Sequence, residues 1–374
     1  MNADEKYMSL ALKLAERGRG RVSPNPMVGA VIVKQGKVVG KGYHARAGFS
    51  HAEVLALKEA GRKAKSATLY VNLEPCSHFG RTPPCVNEII TAGIGRVVIA
   101  MKDPNPLNYG RGIRKLRASG IKVTTCVLED RAKRINEAFH KFITEREPFM
   151  VLKVATSLDG KIATSEGKSK WITGSESRQY VQKLRREADA VLVGINTVLK
   201  DDPRLTVRNG NRGKDCRKGP LRVIVDSRAR IPLEAKVLKG SAETIVATTR
   251  YANKTRIRAL EKRGARVLIV GSKKGKVDLA KLMKELGKLD IVNLLVEGGG
   301  EINASAFASR LVDKAVFFLA PRIIGGKEAP TAVEGEGIKK ISQAIPLRDI
   351  KIRKIGDDLM VEAYPCYVRK PIRN

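Results

Sequence analysis

Four side chains near the start of the sequence have the types and order from which a metal site with a proton carrier can be built: His51 and Glu53 in SHAE, and Cys76 and Cys85 in EPCSHFGRTPPC. Two thiolates and one imidazole suit Zn²⁺, and three protein ligands leave the fourth tetrahedral position to water, the arrangement of a catalytic site. Water held there loses a proton near neutral pH. Glu53, two residues after the histidine, is placed to move that proton. The two cysteines could instead form a disulfide or be separate buried thiols, and His78 within the loop could itself be a ligand. Five cysteines, an odd number, in a chain that opens without an export signal weigh against a disulfide framework, and Cys126, Cys216 and Cys366 read as reduced thiols.

Each of the four falls at a junction between elements. Cys76 follows the apolar run ATLYVNL, His51 precedes the helical pattern AEVLALKEA with Ser50 as a candidate cap, and Cys85 opens CVNEIITAG behind Pro83 and Pro84, a favoured helix start. A thiol at a helix N-terminus ionises more readily. H-x-E followed by P-C and a second Cys is the pattern of zinc deaminases, where the Glu passes a proton from water to the leaving amine without binding metal. The usual spacing is C-x-x-C; here eight residues intervene, so the second Cys returns to the metal only if the insert loops out, which Gly80, Pro83 and Pro84 allow.

A length of 374 residues predicts two or three domains, and 43% hydrophobic content with 34 glycines and 16 prolines reads as globular α/β. An amphipathic helix opens the chain. VGAVIVKQGKVVGKGYH then reads as a hairpin turning near Gln35 and Gly36, followed by helix 52–61, strand ATLYVNL, helix 85–92, strand RVVIAM, helix 111–118, strand IKVTTCVL and one helix over 129–148. Pro148 and the strand FMVLKVATS mark a boundary. Beyond it a helix over 176–188 and strands AVLVG, LRVIVD, ETIVATT, ARVLIV, IVNLLVE and KAVFFLA alternate with helices, ending in an antiparallel pair.

The charge is unusual, 72 Lys and Arg against 38 Asp and Glu, net +34. Such a balance attracts nucleic acid or anionic surfaces nonspecifically. The cations are nevertheless spread along the chain, and aromatic residues make up only 5%, a poor supply for base stacking. No apolar run approaches the ~18 residues of a membrane span. A cytoplasmic protein with no membrane association and no specific nucleic-acid partner is expected.

A second candidate site lies in EGGGEINASAF, residues 297–307, where three glycines between a strand and a helix could present backbone N–H groups to phosphates or could be a flexible turn. The G-x-G-x-x-G fingerprint is absent from this half of the sequence.

SPNPMVGAVIV, SHAE, NLEPCSHFGRTPPC and DPNP, together with KVATSLDGKIA, WITG, LRREADAVLVGINTVLKDDPRLTVR and LLVEGGG, resemble the two halves of the bifunctional riboflavin-biosynthesis deaminase and reductase family, RibD or RibG. The resemblance covers nearly the whole chain. It implies a cytidine-deaminase-like three-layer zinc domain over 1–147 and a dihydrofolate-reductase-like, NADPH-dependent domain over 148–374. The family deaminates 2,5-diamino-6-ribosylamino-4(3H)-pyrimidinone 5′-phosphate with a zinc-activated water, then reduces the ribosyl group to ribityl. Carried over, His51, Cys76 and Cys85 hold one zinc per chain and Glu53 is the proton shuttle. Asn25, His44, Arg81 and Asn105 match positions that hold the deaminase substrate. In the reductase, Ala155, Trp171, Thr197, Asp201 and Ser227 match cofactor positions, and Gly298, Gly299 and Gly300 take the NADPH phosphates. Ser169, Arg185, Leu205, Arg208 and Glu297 match positions at the phosphorylated substrate.

Arg81, Arg185 and Arg208 have the chemistry of phosphate clamps, and Trp171, the single tryptophan, could pack on a cofactor ring or anchor a core. Lys153 and Asp201 are the titratable candidates for delivering a proton to the sugar oxygen. Gln182 stands where many relatives have His, and the basic charge exceeds what the family leads one to expect. A phosphorylated pyrimidine is the expected partner, with a closed homo-oligomer as the common assembly. A nucleic-acid deaminase and an RNA-binding protein with a closed structural zinc are the rival readings; the first leaves the second half of the chain unexplained.

Overall fold

The computed structural model describes residues 2–79, 83–207 and 219–367. Arg81, Arg208 and Cys216 lie outside the described residues. The chain divides into two compact units, Met1–Arg146 and Glu147–Asn374. Among the described residues no helix is long and apolar enough to cross a membrane.

The first unit runs α1 (Ala3–Ala15), β1 (Gly29–Lys34), β2 (Lys37–Tyr43), α2 (Ala52–Ala60), β3 (Thr68–Leu73), α3 (Cys85–Thr91), β4 (Arg96–Met101), α4 (Arg111–Ala118), β5 (Lys122–Thr124), α5 (Glu129–Ile135) and α6 (Glu137–Glu145). A capping box starts α1, with Asn2 and Glu5 each bonding the other's backbone N–H. The described strands form one sheet in the order β2-β1-β3-β4-β5. Its layers follow from three glycines. Gly40 and Gly42 pair with Ile32 and Ala30, and Gly29 pairs with Tyr43, so alternation puts Gly29 on the opposite face. A Cβ on Gly29 would strike α1 at Ala11, whereas one on Gly40 or Gly42 would strike α2 at Ala56 or Ala52. The two helices therefore press on opposite faces of one sheet, which makes the three layers.

Two expected elements differ. The helix foreseen over 129–148 is broken at Asn136, whose side chain accepts from Met27 N at 2.8 Å and donates to Met27 O at 2.9 Å, a distant demand that no local pattern encodes. The strand foreseen through 128 stops at Thr124, because Cys126 and Leu128 take left-handed backbone, φ 68° and 58°, and lead directly into α5.

The second unit runs β6 (Phe149–Ser157), α7 (Ser175–Glu187), β7 (Ala190–Gly194), α8 (Ile195–Asp201), β8 (Leu221–Val225), β9 (Thr244–Thr248), α9 (Lys254–Lys262), β10 (Arg266–Ile269), β11 (Ser272–Lys273), β12 (Lys276–Val277), α10 (Leu279–Gly287), β13 (Asn293–Val296), α11 (Gly300–Ala308), β14 (Lys314–Ala320), β15 (Leu347–Ile355) and β16 (Asp358–Pro365). Its main sheet has the order β10-β9-β8-β7-β13-β6-β14-β16-β15 among the described residues. Strands β6, β13, β7 and β8 are mutually parallel, so their C-terminal ends share one edge, where open α/β sheets bind ligands. Buried Leu, Ile and Val from β6, β7, β8 and β13 form near-continuous apolar runs, as strands covered on both faces require.

Candidate functional site

In the first unit β3 delivers Cys76 and the starts of α2 and α3 deliver His51 and Cys85. His51 Nδ1 lies 3.2 Å from Cys85 Sγ and 3.7 Å from Cys76 Sγ, and the three donor atoms all fall within 4.8 Å of one another. Among the described residues His78 does not join this group. The cluster is open to a fourth, non-protein ligand, as a hydrolytic zinc site requires. His51 itself, not Ser50, occupies the N-cap of α2, and its ring makes no capping bond, which leaves it turned to the sulfurs.

The sulfurs are unequal as neighbours of one another. The hydrogen bond from Cys85, both side chain and backbone N–H (3.2 Å), drives the Cys76 thiol well down, while that same bond and burial push Cys85 up. Position at a helix start would have favoured Cys85 as the thiolate; direct contact with Cys76 outweighs it. One negative sulfur, a second sulfur and an imidazole in mutual contact form a donor set that fits Zn²⁺. Both cysteines are free thiols.

Glu53 is 3% exposed, and its Oε2 has no hydrogen-bond partner. Burial, reinforced by the charge on Cys76, pushes its carboxyl up to about 7, against the opposing pull of His51. A buried carboxyl with an unpartnered oxygen beside a metal-type cluster has the properties of a proton carrier. Asn25 and His44 stand beside His51: Asn25 Nδ2 is 3.1 Å from His44 Nε2, His44 Nδ1 is 3.2 Å from Ser50 O, and the His44 ring meets His51 edge-on at 5.3 Å. Asn105 caps its own turn, accepting from Leu107 N at 3.1 Å.

Sequence reasoning missed the support beneath this loop. Glu74, 2% exposed, accepts from Asp103 N (3.1 Å), Gly110 N (3.0 Å) and Ile113 N (3.1 Å), and Asn108 accepts from Ser77 N (2.9 Å) and donates to Asp103 Oδ2 (3.0 Å). The cysteine loop and the DPNP loop are thereby one hydrogen-bonded body. The available signal was the acid in NLEPC, a charge at the end of a strand otherwise buried.

In the second unit a cleft of about 1650 Å³ opens at the shared strand edge. Lys153 and Ala155 reach it from β6, Ser169 and Trp171 from the following loop, and Gln182 and Arg185 from α7. Thr197 and Asp201 enter from α8, Leu205 from the segment beyond it, Ser227 from the end of β8, and Glu297 with Gly298, Gly299 and Gly300 from the end of β13. Glu297, 7% exposed at its side chain, receives Arg185 Nε at 2.5 Å and a second Arg185 N–H at 3.0 Å, with Lys153 Nζ at 3.3 Å. Burial alone would raise the Glu297 carboxyl; Lys153 and Arg185 together outweigh it and hold the group down to about 2. Arg185 is thus committed to Glu297 and to Thr206 O (3.1 Å).

The Ser169 hydroxyl donates to Asp201 Oδ1 at 2.9 Å, joining two residues that the resemblance assigned to different ligands. Trp171 is 59% exposed and no core anchor; Arg178, absent from the sequence reading, lies over its ring at 4.7 Å. The glycine loop is closely packed and has no room for side chains: a Cβ on Gly298 would come 2.8 Å from Ile302, and one on Gly300 2.5 Å from Thr331 O. Gly299 precedes α11 without a side-chain cap, so the helix's first N–H groups face the cleft.

A hydrolytic zinc-type cluster in one α/β unit and a phosphate-ready cleft at a parallel strand edge in another define a deaminase joined to a reductase. The cytidine and deoxycytidylate deaminase zinc-binding region matches residues 1–101, and the RibD C-terminal domain matches residues 148–361. The riboflavin biosynthesis protein RibD of Aquifex aeolicus is 48% identical over 96% of this chain and 97% of its own. Among solved structures, Acinetobacter baumannii RibD shares 36% identity with TM-score 0.88, covering 98% of this chain and 99% of that one. The Thermotoga maritima diaminohydroxyphosphoribosylaminopyrimidine deaminase/5-amino-6-(5-phosphoribosylamino)uracil reductase shares 35% with TM-score 0.84, covering 97% and 99%. The chain belongs to the RibD family of bifunctional deaminase–reductases of riboflavin biosynthesis, with a zinc deaminase domain followed by a reductase domain.

Proposed function

We propose that residues 1–147 deaminate 2,5-diamino-6-ribosylamino-4(3H)-pyrimidinone 5′-phosphate and residues 148–374 reduce the product to 5-amino-6-(5-phospho-D-ribitylamino)uracil. The observation that carries the first half is the cluster of His51, Cys76 and Cys85 beside the unpartnered Glu53 oxygen. Zinc held by those three donors would activate a water for attack at C2 of the pyrimidine. Glu53 takes a proton from the attacking water and gives it to the departing amine, so that ammonia leaves. Asn25 and His44 hold the base; Asn105 and Arg81 hold the rest of the substrate.

In the second half NADPH would supply a hydride to C1′ of the ribosyl group. As it arrives the C1′–O4′ bond opens and O4′ needs a proton, for which the Lys153 ammonium is the donor. The Glu297 carboxylate at 3.3 Å holds its Nζ in place, and Arg185 locks Glu297 in turn. Asp201, already engaged by Ser169, is a positioning group. Gly298 to Gly300 at the start of α11 would take the cofactor's pyrophosphate, and Trp171 would pack against the cofactor. We place the enzyme in the cytoplasm as a homo-oligomer without a specific nucleic-acid partner; the free thiols support the compartment, and the cations scattered along the chain support the absence of a nucleic-acid groove.

One incubation tests the reading. Ammonia release and NADPH absorbance are followed together for wild type, Glu53→Ala, Lys153→Ala and Asp201→Asn. Glu53→Ala should give neither signal until supplied with the deaminated intermediate, and Lys153→Ala should give ammonia alone. Full NADPH turnover by Lys153→Ala together with its loss in Asp201→Asn would move the donor role to Asp201.

A further inference from the structure

Asn25 and His44, the residues proposed to hold the base, both hang from one short segment of backbone, Met27–Val28–Gly29. Asn25 stands two residues before Met27, with Pro26 between them. The proline ring fixes its own φ and confines the backbone of Asn25, which leaves little play between Asn25 and the Met27 peptide. His44 donates its backbone N–H to Val28 O at 2.8 Å, and the Asn25 and His44 side chains meet at 3.1 Å. Where both stand against His51, Cys76 and Cys85 therefore depends on what fixes this segment.

Two buried asparagines from distant parts of the chain fix it. Asn72, fully buried in β3, accepts from Gly29 N at 2.8 Å and donates to Met27 O at 2.9 Å, and the same strand runs on to Cys76. Asn136, almost as deeply buried between α5 and α6, accepts from Met27 N at 2.8 Å and donates to that same Met27 O at 2.9 Å. The two divide the segment between them. Met27 N–H, on the Asn25 side, is taken by Asn136; Gly29 N–H, on the far side, is taken by Asn72. Asn136 does nothing for the helix that carries it: φ −110° and ψ 21° interrupt the run between α5 and α6, and its side chain makes no capping bond. A residue serving the helix alone would be a better helix former, such as alanine or leucine. Both polar ends of Asn136 go instead to Met27, a task outside the helix and next to Asn25.

We propose that Asn136 is a positioning residue for deamination: through Met27 it holds Asn25 where the substrate's base is bound, in register with His51, Cys76 and Cys85. The inference rests on the reading of Asn25 as a residue that holds the base. Its test is a cycle of full-chain variants, Asn136→Ala, Asn25→Ala and the two together. Each is assayed for kcat and KM of ammonia release from the diaminopyrimidinone ribosyl phosphate, for zinc by elemental analysis and for its thermal melt. A shift of about 1 Å in a substrate-holding group costs on the order of a hundredfold. Asn136→Ala should therefore lower kcat/KM about ten- to a hundredfold while one zinc per chain is retained. Because Asn136 acts through Asn25, the same substitution made on Asn25→Ala should cost less than about threefold further. A structural role alone would lower the melting midpoint and leave kcat/KM unchanged, or would add its full loss to that of Asn25→Ala; either result overturns the proposal and leaves the role of Asn25 standing. Asn25→Ala with the kcat/KM of wild type overturns both. Should Asn136→Ala not fold, Asn136→Asp takes its place in the cycle, since it keeps an acceptor for Met27 N–H and sets a carboxylate oxygen against Met27 O. A loss that vanishes on Asn25→Ala then supports the proposal, and an undiminished one overturns it.

Discussion

The Arg185 guanidinium grips the Glu297 carboxylate through two bonds, 2.5 and 3.0 Å, with both side chains largely withdrawn from water. Lys153 completes a triad of two cations and one anion. Removing the anion leaves two buried like charges, and breaking such a pair costs about 3–5 kcal/mol. Glu297→Ala should therefore destabilise the second unit by that order, read as faster hydrogen exchange in β6 and β13 peptides across a urea series. Unchanged exchange would show that Lys153 and Arg185 are solvated well enough without it.

The same carboxylate sets an acid limit. Its folded pKa, about 2, lies below the ordinary 4.5, so its contribution is complete above pH 4.5 and disappears as pH falls through 2. The second unit should lose stability steadily across that window. In Glu297→Gln this part of the slope should flatten, measured as urea midpoints at pH 5, 4 and 3 by the same exchange readout. Equal slopes in variant and wild type would assign acid sensitivity elsewhere.

Glu53 makes no bond through Oε2 and lies outside the group of three metal-type donors. Glu53→Gln should keep one zinc per chain, measured by elemental analysis, while ammonia release falls about a hundredfold or more. Cys76→Ser and Cys85→Ala should lose the zinc itself. NADPH oxidation with supplied intermediate should survive in all three, since these residues belong to the first unit. Loss of zinc from Glu53→Gln would make it a ligand.

What the sequence disclosed depended on how local the cause was. The chemistry of HAE, EPC and PPC could be read because each residue stands where a strand ends or a helix starts, and those junctions are written nearby in glycines, prolines and apolar runs. Gly61, Gly93 and Gly120, all at positive φ, ended helices near the foreseen places. Asn136 breaks a helix for the sake of Met27, more than a hundred residues away, and no window around it carries that demand. Arg81 and Arg208 lie outside the described residues, and their roles as clamps rest on the family resemblance.

Glu74 shows the same non-local logic at the metal loop, and the sharpest consequence follows from it. Its carboxylate satisfies three backbone N–H groups at the loop before α4 and within its first turn, while the chain two residues on supplies Cys76. Alanine there would leave those donors buried without acceptors, each at a cost of about 1–3 kcal/mol, and loosen the tie between the cysteine loop and the DPNP loop, leaving Asn108 to hold it. Partners of this kind typically govern metal affinity by 10- to 100-fold. Glu74→Ala should then weaken zinc retention against a chelator by about that factor and raise the deaminase KM, since Asn105 sits on the loosened loop. Glu74→Gln, which keeps acceptor oxygen but presents N–H₂ to one side, should fall between. Reduction of supplied intermediate should be untouched. If Glu74→Ala loses stability but retains zinc and KM as wild type does, the acid supports the fold alone and the two loops hold their places independently.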